Sequence, residues 1–349
     1  MRDFNYNLLK DKKWDLEIIN YISTIEKFKG RGEVFLSQKA QTLDNLVELA
    51  IIQSTESSNK IEGIRTTDSR IQDLLQKNIK PKNRDEEEIL GYQDVLRTIH
   101  ESYKYIPISS DIILQLHKNL FRYSEKSIGG RYKNSQNYIS ETNPNGESYV
   151  IFTPLDPFET PIAIEKICDS YNKEIDRGEI NPLILIPSFI HDFLCIHPFN
   201  DGNGRMSRLL TTLLLYKMGY QVGKYISLEE KIEKTKINYY KSLEYSGQGR
   251  STNDEDKIYF IKYILGIITS AYRDFEERVD IFDNNLSAFD LVKNAVNNQW
   301  GKFTKSDIMK VTPSISRASV ENSLKELVDA GVIERHGKGR GTFYVKKMI

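Results

Sequence analysis

Between His197 and Arg208 the chain reads His-Pro-Phe-Asn-Asp-Gly-Asn-Gly-Arg-Met-Ser-Arg. Gly202 and Gly204 allow backbone conformations closed to other residues and let a ligand approach the main chain. Behind them Met206, Leu209, Leu210, Leu213 and Leu214 fall at i, i+3, i+4, i+7 and i+8, the spacing of a helix with one buried face, and Gly219 supplies its stop. A glycine turn opening a helix aims N–H groups at one point, where the helix dipole also favours negative charge. Arg205 and Arg208 add planar forks suited to phosphate oxygens. Asp201 offers the kind of carboxylate that holds magnesium beside phosphate. His197, just before the turn, is a candidate general base because its ordinary pKa lies near neutrality. No G-x-x-x-x-G-K-[ST] occurs in the chain, so this is not a P-loop.

The string resembles the signature of Fic-domain proteins, HxFx(D/E)GNGRxxR, and meets every fixed position. The resemblance implies transfer of AMP from ATP to a Ser, Thr or Tyr hydroxyl of a target protein, or of the protein itself. It implies that His197 takes the hydroxyl proton, Phe199 anchors the loop in the core, and Asp201 ligates Mg2+. Gly202, Asn203 and Gly204 would cradle the α/β-phosphates and Arg205 and Arg208 the β/γ-phosphates, with Met206 and Ser207 in the same ATP-binding stretch. Positioning and charge stabilisation dominate such transfers, and the loop supplies both.

A second motif, Ser58-Asn-Lys-Ile-Glu62-Gly63, fits the [ST]xxxE[GN] pattern of Fic proteins that carry an N-terminal inhibitory helix. Leu43, Leu46, Ala50 and Ile51 are spaced for a helix, and Gly63 is a natural residue just past its end. Ser58 and Glu62, four apart, share a face. The resemblance implies that Glu62 pairs with Arg208 and fills the space of the γ-phosphate. An arginine already bound to a carboxylate cannot also clamp a phosphate.

Gly129 to Ile139, the turn Asn143-Pro-Asn-Gly146, and Tyr149-Val-Ile-Phe-Thr-Pro154 read as a β-hairpin. It resembles the Fic flap, against which a target peptide lies as an added strand, with Phe152 and Thr153 at its end. Thr153-Pro-Leu-Asp departs from the usual run of prolines there. Asn181-Pro182 starts the helix leading to His197, and Pro187 inside it should remove a hydrogen bond or bend it. Tyr239-Tyr240 matches a tyrosine pair that borders the adenine in family members; a core role is the competing reading.

The chain carries 49 Lys+Arg and 49 Asp+Glu, so no global attraction to nucleic acid or membrane is implied. It has no apolar run of about 18 residues, and its two cysteines, Cys168 and Cys195, make no disulfide framework; a cytoplasmic protein is expected. From Leu286 to the end, 11 Lys/Arg face 6 Asp/Glu, which marks a separate basic module. It reads as three helices and a hairpin and resembles a winged helix-turn-helix domain. Arg317 on the third helix and Lys338 and Arg340 on the wing are candidate DNA contacts, although such domains also bind proteins or dimerise.

The expected fold is mainly α: a helical Fic core with a small β-hairpin flap, and a winged helix-turn-helix C-terminus. The expected domains are a helical N-terminal region over 1–100 with the inhibitory helix at about 43–63, a catalytic core over 101–250, a connecting helix over 251–285, and the winged helix over 286–349. A homodimer is compatible with the sequence. Two other readings remain open at this level: removal of AMP or transfer of another phosphate-linked group by the same site, and a DNA-binding regulator that senses nucleotide. An intact His197 argues against the last, since sensing needs no base.

Overall fold

The computed structural model of the chain describes residues 4–39, 43–77, 79–124, 128–142, 148–250, 255–283, 287–299, 301–312 and 315–347. The tip of the hairpin at 143–146 lies outside the described residues. In order, the chain forms α1 (Leu16–Lys39), α2 (Asp44–Ile61), α3 (Asp68–Lys77), α4 (Arg84–Ser102) and α5 (Ser110–Leu120). Then come β1 (Ile139–Thr142), β2 (Ser148–Phe152), α6 (Thr160–Arg177), α7 (Pro182–Ile196), α8 (Asn203–Lys217), α9 (Leu228–Lys234), α10 (Lys236–Gly247) and α11 (Ile258–Asp283). The chain ends in α12 (Ala288–Asn297), β3 (Lys302–Phe303), α13 (Lys305–Val311), α14 (Arg317–Asp329), β4 (Ile333–His336) and β5 (Phe343–Lys346). The fold is mainly helical. No helix among the described residues is long and apolar enough to cross a membrane. Two compact units emerge: Met1–Lys29 with Ala50–Tyr272, and Gly30–Leu49 with Arg273–Ile349.

The first unit is organised around α7 and α8. The run Leu183–Ile190 in α7 is buried on all sides, as befits a helix with no polar face. Asn181 caps it, accepting the Leu183 N–H at 2.9 Å, and Pro182 sits at the first turn, where a missing N–H is harmless. The helix continues through Pro187, and the Ser188 hydroxyl donates to the Ile184 carbonyl at 2.9 Å. Met206, Leu209, Leu213 and Leu214 of α8 are buried as their spacing requires. Each such side chain contributes about 1.5–3 kcal/mol when fully buried.

The flap is a two-stranded antiparallel sheet pairing Ile139 with Phe152 and Glu141 with Tyr149. Its first strand starts at Ile139, not near Gly129. The intervening residues spend their hydrogen bonds elsewhere: the Lys133 N–H donates to the Pro198 carbonyl at 2.8 Å and Asn137 Nδ2 to the Phe199 carbonyl at 2.8 Å. This stretch braces the loop at 197–203 and is lost to the hairpin.

In the second unit, capping boxes start α12 (Ser287 with Asp290) and α13 (Thr304 with Asp307), and Ser316 caps α14. The strands form a sheet in the order β3-β5-β4, antiparallel throughout. Val292, Val296, Phe303, Ile308, Val320, Leu324, Leu327 and Ile333 make its core.

Candidate active site

α7 ends at Ile196, and His197 follows as its C-terminal cap with φ 51° and ψ 64°. Among the described residues it is the one non-glycine with positive φ. For a residue with a Cβ this costs about 1–3 kcal/mol and persists only where the surroundings over-determine it. Those surroundings are specific. Asn203 clips Phe199 at both ends, its Oδ1 accepting the Phe199 N–H at 2.9 Å and its Nδ2 donating to the Phe199 carbonyl at 2.7 Å. The Phe199 ring is buried and stacks on His117, centroids 3.6 Å apart and planes 2° from parallel. His117 Nδ1 accepts the Gly130 N–H at 3.0 Å, which leaves the proton on Nε2 to donate to the Asp201 carbonyl at 3.0 Å.

His197 Nδ1 lies 3.4 Å from the Leu194 carbonyl, an arrangement that assigns the proton to Nδ1 and leaves the Nε2 lone pair unprotonated. Burial pulls its pKa down to about 4; the Leu194 carbonyl opposes this, and nearby Lys133 adds to it. At neutral pH the ring is an uncharged base.

Gly202 takes φ 84° as the N-terminal cap of α8. The first helical hydrogen bond runs from the Met206 N–H to the Gly202 carbonyl at 2.9 Å. The N–H groups of Asn203, Gly204 and Arg205 precede it and face outward from the helix start. Met206 has its N–H engaged and its side chain in the core, and the Ser207 hydroxyl donates to the Gly204 carbonyl at 2.7 Å. Neither offers a group to an anion. The Asn203 side chain is likewise consumed by Phe199, leaving its main chain.

Arg205 lies in the core. Its guanidinium is 1% exposed, 2.7 Å from the equally buried Glu88 carboxylate, and stands 5.2 Å over the Phe121 ring. It also reaches Asp201 Oδ1 at 3.3 Å. An arginine neutralised inside the core braces the loop from behind. Asp201 is 40% exposed and accepts from Arg84 Nη2 at 3.0 Å and from the Gly202 N–H at 2.6 Å. Its exposed oxygens at the mouth of the cradle are the hard donors a magnesium ion requires.

Glu62 stands one residue past the end of α2. The Gly63 N–H returns to the Lys60 carbonyl at 3.1 Å and the Ile64 N–H to the Asn59 carbonyl at 3.0 Å, a Schellman closure for which Gly63 supplies φ 82°. Lys236 Nζ adds a bond to the Ile61 carbonyl at 2.6 Å. This closure delivers the Glu62 carboxylate to Arg208: Nη2 donates to Oε1 at 2.8 Å, and also to the Ser58 carbonyl at 2.9 Å, while Nε donates to Ser58 Oγ at 2.8 Å. A Cβ added to Gly204 would lie 2.1 Å from Glu62 Oε1. The carboxylate therefore rests against the anion cradle itself. Burial opposes the charge on Arg208, while Glu62, with Tyr239 and Tyr92, holds its pKa above the ordinary value.

The tyrosine pair divides. Tyr239 is buried against Phe260 and Tyr263, a core residue with no face for a base, whereas Tyr240 is 45% exposed. Tyr149, Val150 and Ile151 are exposed in succession on β2, Phe152 is half-buried and Thr153 exposed beyond the strand. In the second unit Arg317 is tied to Glu321 at 3.1 Å, Lys338 is exposed, and the Arg340 side chain lies outside the described residues. The exposed face of α14 carries Arg317 and Lys325 beside Glu321, Glu326 and Asp329. Four participants were not legible in the sequence: Arg84, Glu88, His117 and Lys133. They lie far from the motif, and nothing in their local spacing marks them. His191, Asp192 and Glu255 bring ligand atoms within 4.8 Å, but Arg250 and Lys257 already neutralise both carboxylates.

Residues 107–215 match the family model for the Fic/DOC family. The chain is 24% identical over 222 residues to the protein adenylyltransferase Fic of Nematostella vectensis, covering 61% of this chain and 48% of that one. It is 27% identical over 184 residues to the protein adenylyltransferase fic-1 of Caenorhabditis elegans, covering 52% and 32%. It thus spans about half or less of the curated relatives it matches. Among solved structures it is similar to a Fic family protein from Desulfovibrio desulfuricans G20 (20% identity, TM-score 0.63, 96% of this chain and 97% of that one). A Fic domain containing signaling protein from Bacteroides thetaiotaomicron VPI-5482 is similar over 72% and 94% (24% identity, TM-score 0.61), and both likenesses are of fold. The loop and the start of its glycine-opened helix lie inside residues 107–215, the stretch that matches the Fic/DOC family model.

Proposed function

We propose that this protein is an adenylyltransferase that moves AMP from ATP to a Ser, Thr or Tyr hydroxyl of a target protein or of itself, and that Glu62 holds it at rest. The observation that carries the reading is the occupant of the cradle: a carboxylate sits on Arg208 and against Gly204, where an anion is wanted. The relatives named protein adenylyltransferase support it.

In the reaction the hydroxyl oxygen attacks the α-phosphorus and the bond from that phosphorus to the bridging oxygen breaks. Pyrophosphate leaves, and the hydroxyl proton passes to His197 Nε2. Burial keeps His197 neutral and ready to accept it. The N–H groups of Asn203, Gly204 and Arg205 stabilise the charge that develops on the phosphates, and Arg208 holds the terminal phosphate once Glu62 leaves. Asp201 would hold Mg2+, which neutralises phosphate charge; to do so it must exchange Arg84 for the ion. Arg205 acts through Glu88 and Asp201, as a brace. The target hydroxyl arrives on a segment laid along the exposed flap strand β2. Tyr240, not Tyr239, borders the adenine.

Labelled ATP tests the reading. With Glu62→Gly protein, label in the α-phosphate should enter protein and label in the γ-phosphate should not. Transfer of the γ-label would assign a kinase reaction instead, and the reading would fail.

A further inference from the structure

We propose that Lys133 is a positioning residue for His197, clamping the carbonyls on both sides of it so that it keeps its left-handed conformation. The Lys133 N–H donates to the Pro198 carbonyl at 2.8 Å, and its Nζ donates to the Ile196 carbonyl at 2.9 Å. One residue thus grips the chain immediately before and immediately after the base. The grip is placed where strain is concentrated, at the described non-glycine residue with positive φ. Ile196 is the last residue of α7, so its carbonyl has no onward helical partner and sits at the negative end of the helix. A lysine ammonium answers both needs.

The burial of Lys133 argues against a packing role alone. The residue is 3% exposed. An apolar side chain would fill that space without taking an ammonium out of water. Burial draws the Lys133 pKa down to about 8, with Asp156 opposing. Its charge also acts on His197, as do the carboxylates of Glu62 and Asp201. Lys133 favours the neutral ring, and the two carboxylates favour the protonated one.

The rate arm of the test rests on the adenylyltransferase reading; the titration arm does not. In the Glu62→Gly background, Lys133→Met should lower kcat for AMP transfer on the order of 10- to 100-fold, as displacement of a base by a fraction of an ångström does, with KM for ATP within about twofold. Lys133→Arg keeps charge and donor and should recover most of that loss. In NMR titrations of the imidazoles, Lys133→Met should move the His197 pKa upward from about 4, and Lys133→Arg should leave it in place. Unchanged kcat and an unchanged His197 titration in Lys133→Met would overturn the proposal. So would a loss of activity that tracks the folded fraction by near-ultraviolet circular dichroism while the His197 titration stays put. If no variant transfers AMP, the functional reading has failed, and the titration still decides the role of Lys133.

Discussion

Glu62→Gly should tighten ATP binding by a calculable amount. In the resting protein the terminal phosphate and Glu62 compete for one guanidinium, so the measured affinity is the intrinsic one reduced by the strength of the carboxylate contact. That contact is a single charge-assisted hydrogen bond of 2.8 Å between Glu62 and an Arg208 that is 3% exposed. Bonds of this type contribute about 1.5–3 kcal/mol. Glu62 is 30% exposed, so solvent weakens its side of the pair and favours the lower half of that range. At 1.4 kcal/mol per factor of ten, release should improve the Kd for ATP by roughly 10- to 30-fold. Calorimetry with ATP and magnesium reads this directly. The same substitution takes from the buried Arg208 its carboxylate partner, so the melting temperature without nucleotide should fall and recover when ATP is added. Glu62→Gln, which keeps the shape and removes the charge, should fall between the two. Affinities within twofold of wild type for both variants would refute competition at Arg208.

Other outcomes follow from the same geometry. His117 and His197 both have pKa values lowered from 6.5 to about 4, chiefly by burial, so the unfolded chain binds their protons first as pH falls. The contribution of these two histidines should be level above pH 6.5 and decline from there toward pH 4; at pH 5 the decline is about 2 kcal/mol for the buried His117, measurable as a falling melting temperature that His117→Phe reduces. Arg205→Ala removes one of the two arginine partners of the buried Glu88 carboxylate, leaving Arg84, and should cost about 1.5–3 kcal/mol by denaturant unfolding, whereas a phosphate ligand would lose ATP affinity with little loss of stability. Gly204→Ala places a methyl 2.1 Å from the Glu62 carboxylate and inside the cradle. It should abolish the thermal shift produced by ATP while leaving the fold intact by circular dichroism.

The sequence made the loop legible because each of its needs is local. Positive φ at Gly202, the helix start at Asn203, the buried stripe through Leu214 and the glycine closure after Glu62 depend on residues within one or two turns, and spacing reports them. What it concealed depends on long-range packing. Arg205 and Arg208 are equivalent by type and lie one turn apart, yet one faces Glu88 in the core and the other faces Ser58 and Glu62. Only the packing of α4 and α2 against α8 separates them. Tyr239 and Tyr240 part for the same reason. The flap strand came out short because Lys133 and Asn137, unremarkable as residue types, are drawn to carbonyls of a loop some 60 positions away. The C-terminal element order was readable from caps and breakers, but the acidic residues on the outer face of α14 needed the burial pattern to be seen together.

On the proposed mechanism His197 drives adenylyl transfer once Glu62 is removed from Arg208. Intact-protein mass spectrometry after incubation with ATP and magnesium tests it in one comparison. A gain of one AMP is expected on Glu62→Gly protein, little on wild type, and none on the double variant Glu62→Gly/His197→Ala. An equal adduct on the double variant, or none on Glu62→Gly, would contradict it.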